Sequence, residues 1–506
     1  MPANHDTGAE APGAAAGAAP APAAPPGGLR PLLKHRFFFT LVGAVLLMEA
    51  IGITTTDIFV PFIRRIADEV PGAGAHPGDL VGLVLLGEGI GSLFWGFLFD
   101  RWGFRRIVVP GCLCYIVAAV IVATTHDYAL FAVARLLHGI ALSWIYVVGY
   151  AMIRYYADAR LYTVLVNLMT GFIMVLPPLA VALASQMILL QGPVWRQISG
   201  VATLGSVLAF SAFMFLVSRG VESPPAASSS TTLKQVVGAL PGIVRKDYRI
   251  YICVSLIALP SIAWVGALVE DPATLAPRHT GAPPGSFIGA FVDFAGTTVE
   301  QIIDYPVNMA MYIRAWATGS VDFLSAADVG RLLSGANVDL MITVGLSCLV
   351  FALISHFAKS QMRLLTVNVA LLALCCLMFW RVPMGLALGN EAEYLLIIFP
   401  LLVICFLENP TAVLMEGSVV LNEDGKGEYG TRLALAGLVS SAVMYLYLHF
   451  DDAFIFYPGF NGLAVFFTVV AAVLAVSYIP VGRRFTRRER EQAAEKAAGT
   501  AAGKAA

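Results

Sequence analysis

The chain has 506 residues, 58% of them hydrophobic and only 13% charged, with a mean hydropathy of +0.77. Soluble domains carry about 25% charged residues, so the composition excludes an ordinary soluble globule and points to a polytopic membrane protein. A net charge of −1 leaves no basic surplus of the kind that binds nucleic acid.

Residues 1–36 are rich in Ala, Pro and Gly and lack the basic start and apolar core of a cleavable signal. They read as a disordered cytoplasmic tail. Windows of about 20 apolar residues then predict spans. The first six are 37–62, 79–99, 104–124, 128–153, 161–190 and 197–218; the second six are 249–270, 337–358, 363–380, 393–416, 431–450 and 459–481. A polar linker, 219–248, separates two six-helix lobes, 37–218 and 249–481, and a basic, Ala-rich tail occupies 482–506. This repeat layout is that of a secondary transporter.

Lys and Arg fall on one side of this topology, at Lys34, Arg36, Arg101, Arg105, Arg154, Arg160, Lys234, Lys359, Lys426 and Arg483 among others, and Arg64 and Arg65 are the exception. Both termini are therefore expected in the cytoplasm. All seven cysteines lie in apolar stretches and read as buried spectators, not as a disulfide framework or metal site. The eight histidines are scattered, so no catalytic cluster of an enzyme emerges.

The first span carries Glu49 and Asp57. A carboxylate at membrane depth costs roughly 3 kcal/mol or more, and such residues normally face a protein cavity and handle protons, ions or charged substrates. On a helix the two would lie about 80° apart around the axis and about 12 Å apart along it. They can face one cavity but cannot share a proton. Span four carries a lone Arg135, which is either paired inside the protein or snorkels to the nearer, outer surface. Glu88, Glu408 and Glu416 are further intramembrane acids, with Glu416 read as an end-of-span residue.

Between spans two and three runs GFLFDRWGFRR, Gly96 to Arg106. Gly96 and Gly103 permit close approach and a tight turn. Asp100 can pair with a guanidinium across a helix interface, with Arg101, Arg105 and Arg106 beside it. The plainer reading is a cytoplasmic basic loop. This segment resembles the motif A loop of the major facilitator superfamily.

The likeness sharpens elsewhere. LMEAIGITTTDIFVP, RLLHGIALSWIYVVGYAMI, VNLMTGFIMVLPPLA and LPSIAWVGALVEDP resemble helices one, four, five and seven of the MdfA-type multidrug/proton antiporters, in the drug-efflux branch of that superfamily. Thr56 stands where the family has Asn, and Pro177 and Pro178 replace part of the glycine pattern that includes Gly171. The resemblance covers most of 37–278 and weakens beyond.

It implies an all-α polytopic membrane protein of the twelve-helix major facilitator fold, with two six-helix lobes around a central cavity. It implies a proton-coupled antiporter that exports drugs or other lipophilic or cationic molecules across the bacterial inner membrane. Glu49, Asp57 and Arg135 become the coupling set, and Glu88, Tyr146, Tyr150, Trp264 and Glu408 the cavity residues. No cofactor is implied beyond protons as the coupling ion, and no metal. The expected partners are a small-molecule substrate, protons and the bilayer, with the chain a monomer. The alternatives are a transporter of one dedicated metabolite and a transporter-like sensor.

Residues 279–336 depart from the family's short outer loop. Their apolar positions recur at helical spacing with Asp293, Glu300, Asp304 and Arg314 interspersed, so an interfacial or cavity-capping helix pair is expected, or else a tolerated insertion without function.

Overall fold

Long apolar runs with few charges and interior prolines satisfy their backbone groups as helices, the option open to a chain in lipid. The computed structural model describes residues 51–52, 62, 66, 69–72, 78–102, 104–156, 159–175, 194–218, 233–270, 287–382, 391–421, 429–454 and 461–505. Among these, the first half contains α1 (Asp79–Trp102), α2 (Phe104–Thr124), α3 (Tyr128–Tyr156), α4 (Ala159–Met174) and α5 (Val194–Ser218). The second half contains α6 (Leu233–Glu270), α7 (Phe287–Thr318), α8 (Ala326–Phe357) and α9 (Gln361–Cys376), which runs into a 3-10 turn, Leu377–Arg381. It closes with α10 (Glu391–Leu421), α11 (Tyr429–Phe454) and α12 (Gly462–Ala505). Eight of the described helices are long and apolar enough to cross a membrane. The chain is thus an all-α, multi-pass membrane protein.

Apolar side chains cover the outside as well as the core. On α5, Val201, Leu204 and Leu208 are each more than 60% exposed, which suits a face turned to lipid. Within each half the helices pack side by side: α1 and α2 on α3, α2 on α5, α8 on α10, and α9 on α12. The halves meet along two seams, α1 against α11 and α4 against α8 and α10.

Several segments are more helical than their composition suggests. The 219–248 stretch is helical from Leu233 onward, because α6 begins there and runs through Pro241 and Pro260. The tail beyond 482 continues α12 to Ala505, in keeping with its Ala, Glu, Gln and Arg content. The Gly96–Arg106 motif is also nearly all helix: α1 ends at Trp102 and α2 starts at Phe104.

Among its described residues, 287–336, the insertion is one 32-residue helix, α7, a turn, and the first turns of α8, where the spacing suggested a separate pair. Gly319, at φ 69°, turns the chain out of α7, and its N–H closes on Ala315 O at 2.8 Å. Ser325 and Asp328 form a reciprocal capping box at the start of α8. Those bonds from Ser325 hold the exposed Asp328 carboxyl below its ordinary range. On α7, Val292, Val299, Ile303 and Ile313 are exposed while Gln301, Asn308 and Tyr312 are buried. This helix therefore turns apolar side chains outward together with the exposed Glu300 and Arg314, and buries the uncharged Gln301, Asn308 and Tyr312.

Candidate functional site

Arg135 lies in α3 and is 2% exposed, one of the largest fully buried side chains. Its Nε donates to Leu80 O, in the first turn of α1, at 2.8 Å. The guanidinium is thus held inside the first half and does not reach the surface as a snorkelling residue would. One turn on, His138 is equally buried and sits 4.7 Å from the Tyr115 ring, which stacks on Phe210 at 4.5 Å.

Glycines let α1 and α3 come this close. A Cβ on Gly91 would stand 2.6 Å from Ile140 Cα, and one on Gly139 would stand 2.7 Å from Glu88 N. Bare backbone on both helices gives Arg135 a carbonyl within reach, as small residues do in membrane helix packing.

Glu49 and Asp57 lie outside the described residues. Their nearest described neighbours in sequence, Ile51 and Gly52, pack near α3: a Cβ on Gly52 would be 3.9 Å from Ile145 Cδ1. Tyr115 Oη donates to Gly52 O at 3.5 Å. Gly52, which lies between the two acids in the sequence, therefore touches the helix that carries Arg135.

The seam between α1 and α11 is closely packed. A Cβ on Gly89 would be 2.9 Å from Ser441 Cβ and 3.0 Å from Leu438 Cα, and one on Gly82 would be 2.7 Å from the Tyr445 ring. At its end, His449 Nδ1 and Asp79 Oδ1 lie 2.8 Å apart, a link between the halves. In the other seam, Gly171 of α4 faces Cys348 of α8, and Gly417 of α10 faces the Tyr162 ring.

The remaining anticipated residues are spread through the molecule. Glu408 is 4% exposed and lies close enough to Cys348 and Cys405 to act on them electrostatically. Glu88 and Glu416 are half-buried, and Tyr150 Oη is 3.3 Å from Thr170 Oγ1, joining α3 to α4. Gly96 is buried and Arg106 exposed. Gly103, Pro177 and Pro178 lie outside the described residues, as do the side chains of Asp100, Arg101, Arg105, Tyr146 and Trp264.

Sequence reasoning missed Asp339, which is fully buried in α8. Tyr312 Oη lies 2.9 Å from its Oδ2, and Asn308 Nδ2 lies 3.3 and 3.4 Å from its two carboxyl oxygens. The one available signal was an acid two residues into an apolar run, next to Asn337.

The family model of the Major Facilitator Superfamily matches residues 37–444. The chain belongs to that superfamily. Superfamily members are transporters, and this chain is one by descent. It is similar to the multidrug resistance protein MdtL of Escherichia coli O127:H6 (strain E2348/69 / EPEC), 26% identical over 330 residues, which are 64% of this chain and 80% of that protein. MdtL of Klebsiella pneumoniae (strain 342) is 24% identical over 320 residues, 63% of this chain and 78% of that protein. The match to MdtL of Escherichia coli O81 (strain ED1a) is 28% over 193 residues and spans about half of that relative, 48%.

Two solved superfamily structures share the fold. The proton:xylose symporter XylE aligns with a TM-score of 0.56 at 13% identity, over 87% of this chain and 94% of that one. The E. coli fucose:proton symporter FucP aligns at 0.53 and 14% identity, over 89% and 98%. In superfamily terms the two halves are the two lobes, and the α1–α11 and α4–α8 seams are where they close on each other.

Proposed function

We propose that the protein is a proton-coupled antiporter that exports lipophilic or cationic small molecules, working as a monomer in the bacterial inner membrane with both termini in the cytoplasm. The observation that carries this reading is the fully buried Arg135, which reaches Leu80 O from α3, the helix that Gly52 touches. A cation so placed, on the helix that Gly52 touches, would join Glu49 and Asp57, which flank Gly52 in the sequence, in a common set of groups for which protons and positively charged substrates compete. The multidrug resistance proteins among its relatives support the substrate class.

In this mechanism Asp57 carries the proton and Glu49 recognises cations. Desolvation favours the neutral carboxyl and the Arg135 guanidinium favours the ionised one, so a small rearrangement decides which form persists. Substrate and proton move the lobes through their different affinities for the two facings. With the termini inside, α1 begins and α11 ends at the outer face, and Asp79–His449 becomes an outer latch between lobes.

The test is proton movement on addition of substrate in proteoliposomes, across a panel of cationic and neutral compounds. Cations should release protons from the wild type and not from Asp57→Asn. Glu49→Gln should lose cations more than neutral compounds. Normal uphill transport by Asp57→Asn would overturn the assignment.

A further inference from the structure

We infer that Asp339 is a second proton-binding site, built by the inserted helix α7 against α8, and that it holds its proton in the conformation described. The inference goes beyond the antiport reading: it concerns the other lobe and does not depend on export, on Asp57 or on the substrate class.

The hydrogen-bond geometry carries it. Tyr312 Oη lies 2.9 Å from Asp339 Oδ2 and 3.0 Å from Leu332 O. A phenol has one hydrogen. If Asp339 were ionised, both neighbours would be pure acceptors and one of these short contacts would have no hydrogen in it. If Asp339 is a neutral acid, its O–H donates to Tyr312 Oη, and the phenol donates onward to Leu332 O. Both contacts are then bonds.

Asn308 Nδ2 has two hydrogens: one goes to Gln301 Oε1 at 2.9 Å and the other faces the carboxyl at the longer 3.3 and 3.4 Å, while Asn308 Oδ1 is buried with no partner among the described residues. With a phenol and an amide as its side-chain contacts, an ionised carboxyl here has no countercharge in hydrogen-bond contact among the described residues, and burying one so is costly.

Among the described residues, the charged groups on the neighbouring helices have partners of their own or lie at a distance. On α8, Arg331 pairs with Asp304 of α7 at 3.0 Å and with Asp328 at 3.5 Å, and it is partly exposed. From α7, Tyr305 reaches Thr343 at 2.9 Å, and Thr343 in turn donates to Asp339 O at 2.7 Å. On α10, Glu408 lies beside Cys348, nine positions along α8 and so about 13 Å away along the axis. The face of α4 from Leu161 to Met174 carries no charged residue.

The cluster is purpose-built in its packing. A side chain on Gly335 would collide with Gln301, so the glycine makes room for the amide that positions Asn308. The Arg331–Asp304 pair is partly exposed, at side-chain exposures of 33% and 38%.

The test uses infrared difference spectra of the purified full-length protein in lipid nanodiscs, without substrate. Subtracting Asp339→Asn from wild type at neutral pH should leave the carbonyl stretch of a protonated carboxylic acid, shifted in heavy water. Tyr312→Phe should keep that band and move it to higher frequency, because the acid loses its acceptor. Asp57→Asn should leave it in place, which separates this site from the antiport assignment. Absence of the band from the wild-type-minus-Asp339→Asn spectrum, an unmoved band in Tyr312→Phe, or loss of the band on adding sodium at fixed pH and ionic strength would each overturn the inference.

Discussion

The two lobes bury a polar group in opposite ways. In the first, α1 and α3 meet through glycines and Arg135 finds its partner in a backbone carbonyl, Leu80 O. In the second, α7 and α8 meet through side chains, and Asp339 is surrounded by Tyr312, Asn308 and, behind it, Gln301. Arginine stays charged at any accessible pH, so its site must satisfy a fixed cation and stands on rigid, bare backbone. A carboxyl can shed its charge by taking a proton, so its site needs neutral partners that tolerate either form. A helix inserted late in the chain can supply those; a glycine seam cannot.

The largest expected effect comes from spoiling the glycine seam. Gly139→Leu drives a side chain into α1 backbone at Val84 and Glu88 and should abolish recovery of monodisperse protein on size exclusion. Overpacking of this kind costs about 1–3 kcal/mol in forgiving cores, and backbone cannot step aside. Gly296→Leu on α7, where nothing stands within 4 Å, should leave recovery unchanged.

Next comes the charge itself. Arg135→Gln should destabilise by about 3 kcal/mol or more, as losing one side of a buried charged contact does. Arg135→Lys keeps the charge without the planar fork, so it should insert normally and exchange poorly. At the other site, Asp339→Asn exchanges one neutral group for another and should cost about 1 kcal/mol or less. Melting curves in detergent compare the three directly; equal losses for Arg135→Gln and Asp339→Asn would erase the contrast.

The smallest effect is at the seam between lobes. Asp79→Asn removes the charge from a partly exposed pair with His449, worth about 1 kcal/mol at most. Thiol labelling at positions flanking α1 and α11 should rise on the outer side, and an unchanged pattern would remove the latch.

Much of this was legible from the chain. The span 104–124 coincides with α2, because Arg105 and Arg106 mark its start and Thr124 its end. Arg135 stood out as a lone cation in an apolar run. What the sequence hid is tertiary. Asp339 looks like an end-of-span acid, and its partners lie 27 and 31 residues away on a helix whose polarity argued against burial. On α7 the charged Glu300 and Arg314 are exposed as their polarity suggests, while Gln301 and Asn308 face protein. The start of α6 at Leu233 was masked by Pro241 and by charges that are tolerated on an exposed, amphipathic stretch.

One further feature bears on how the lobes move. Arg484 on the extended α12 binds Asp247 on α6, and five residues on, Glu489 accepts from Ser360 at the start of α9. These contacts buckle three helices of the second lobe together at one end, like a strut nailed across the ends of planks. The lower part of α6 is thereby fastened to its own lobe, which shortens the connection between the lobes to residues 219–232. The strut thus ties α6, from Leu233 onward, to the second lobe.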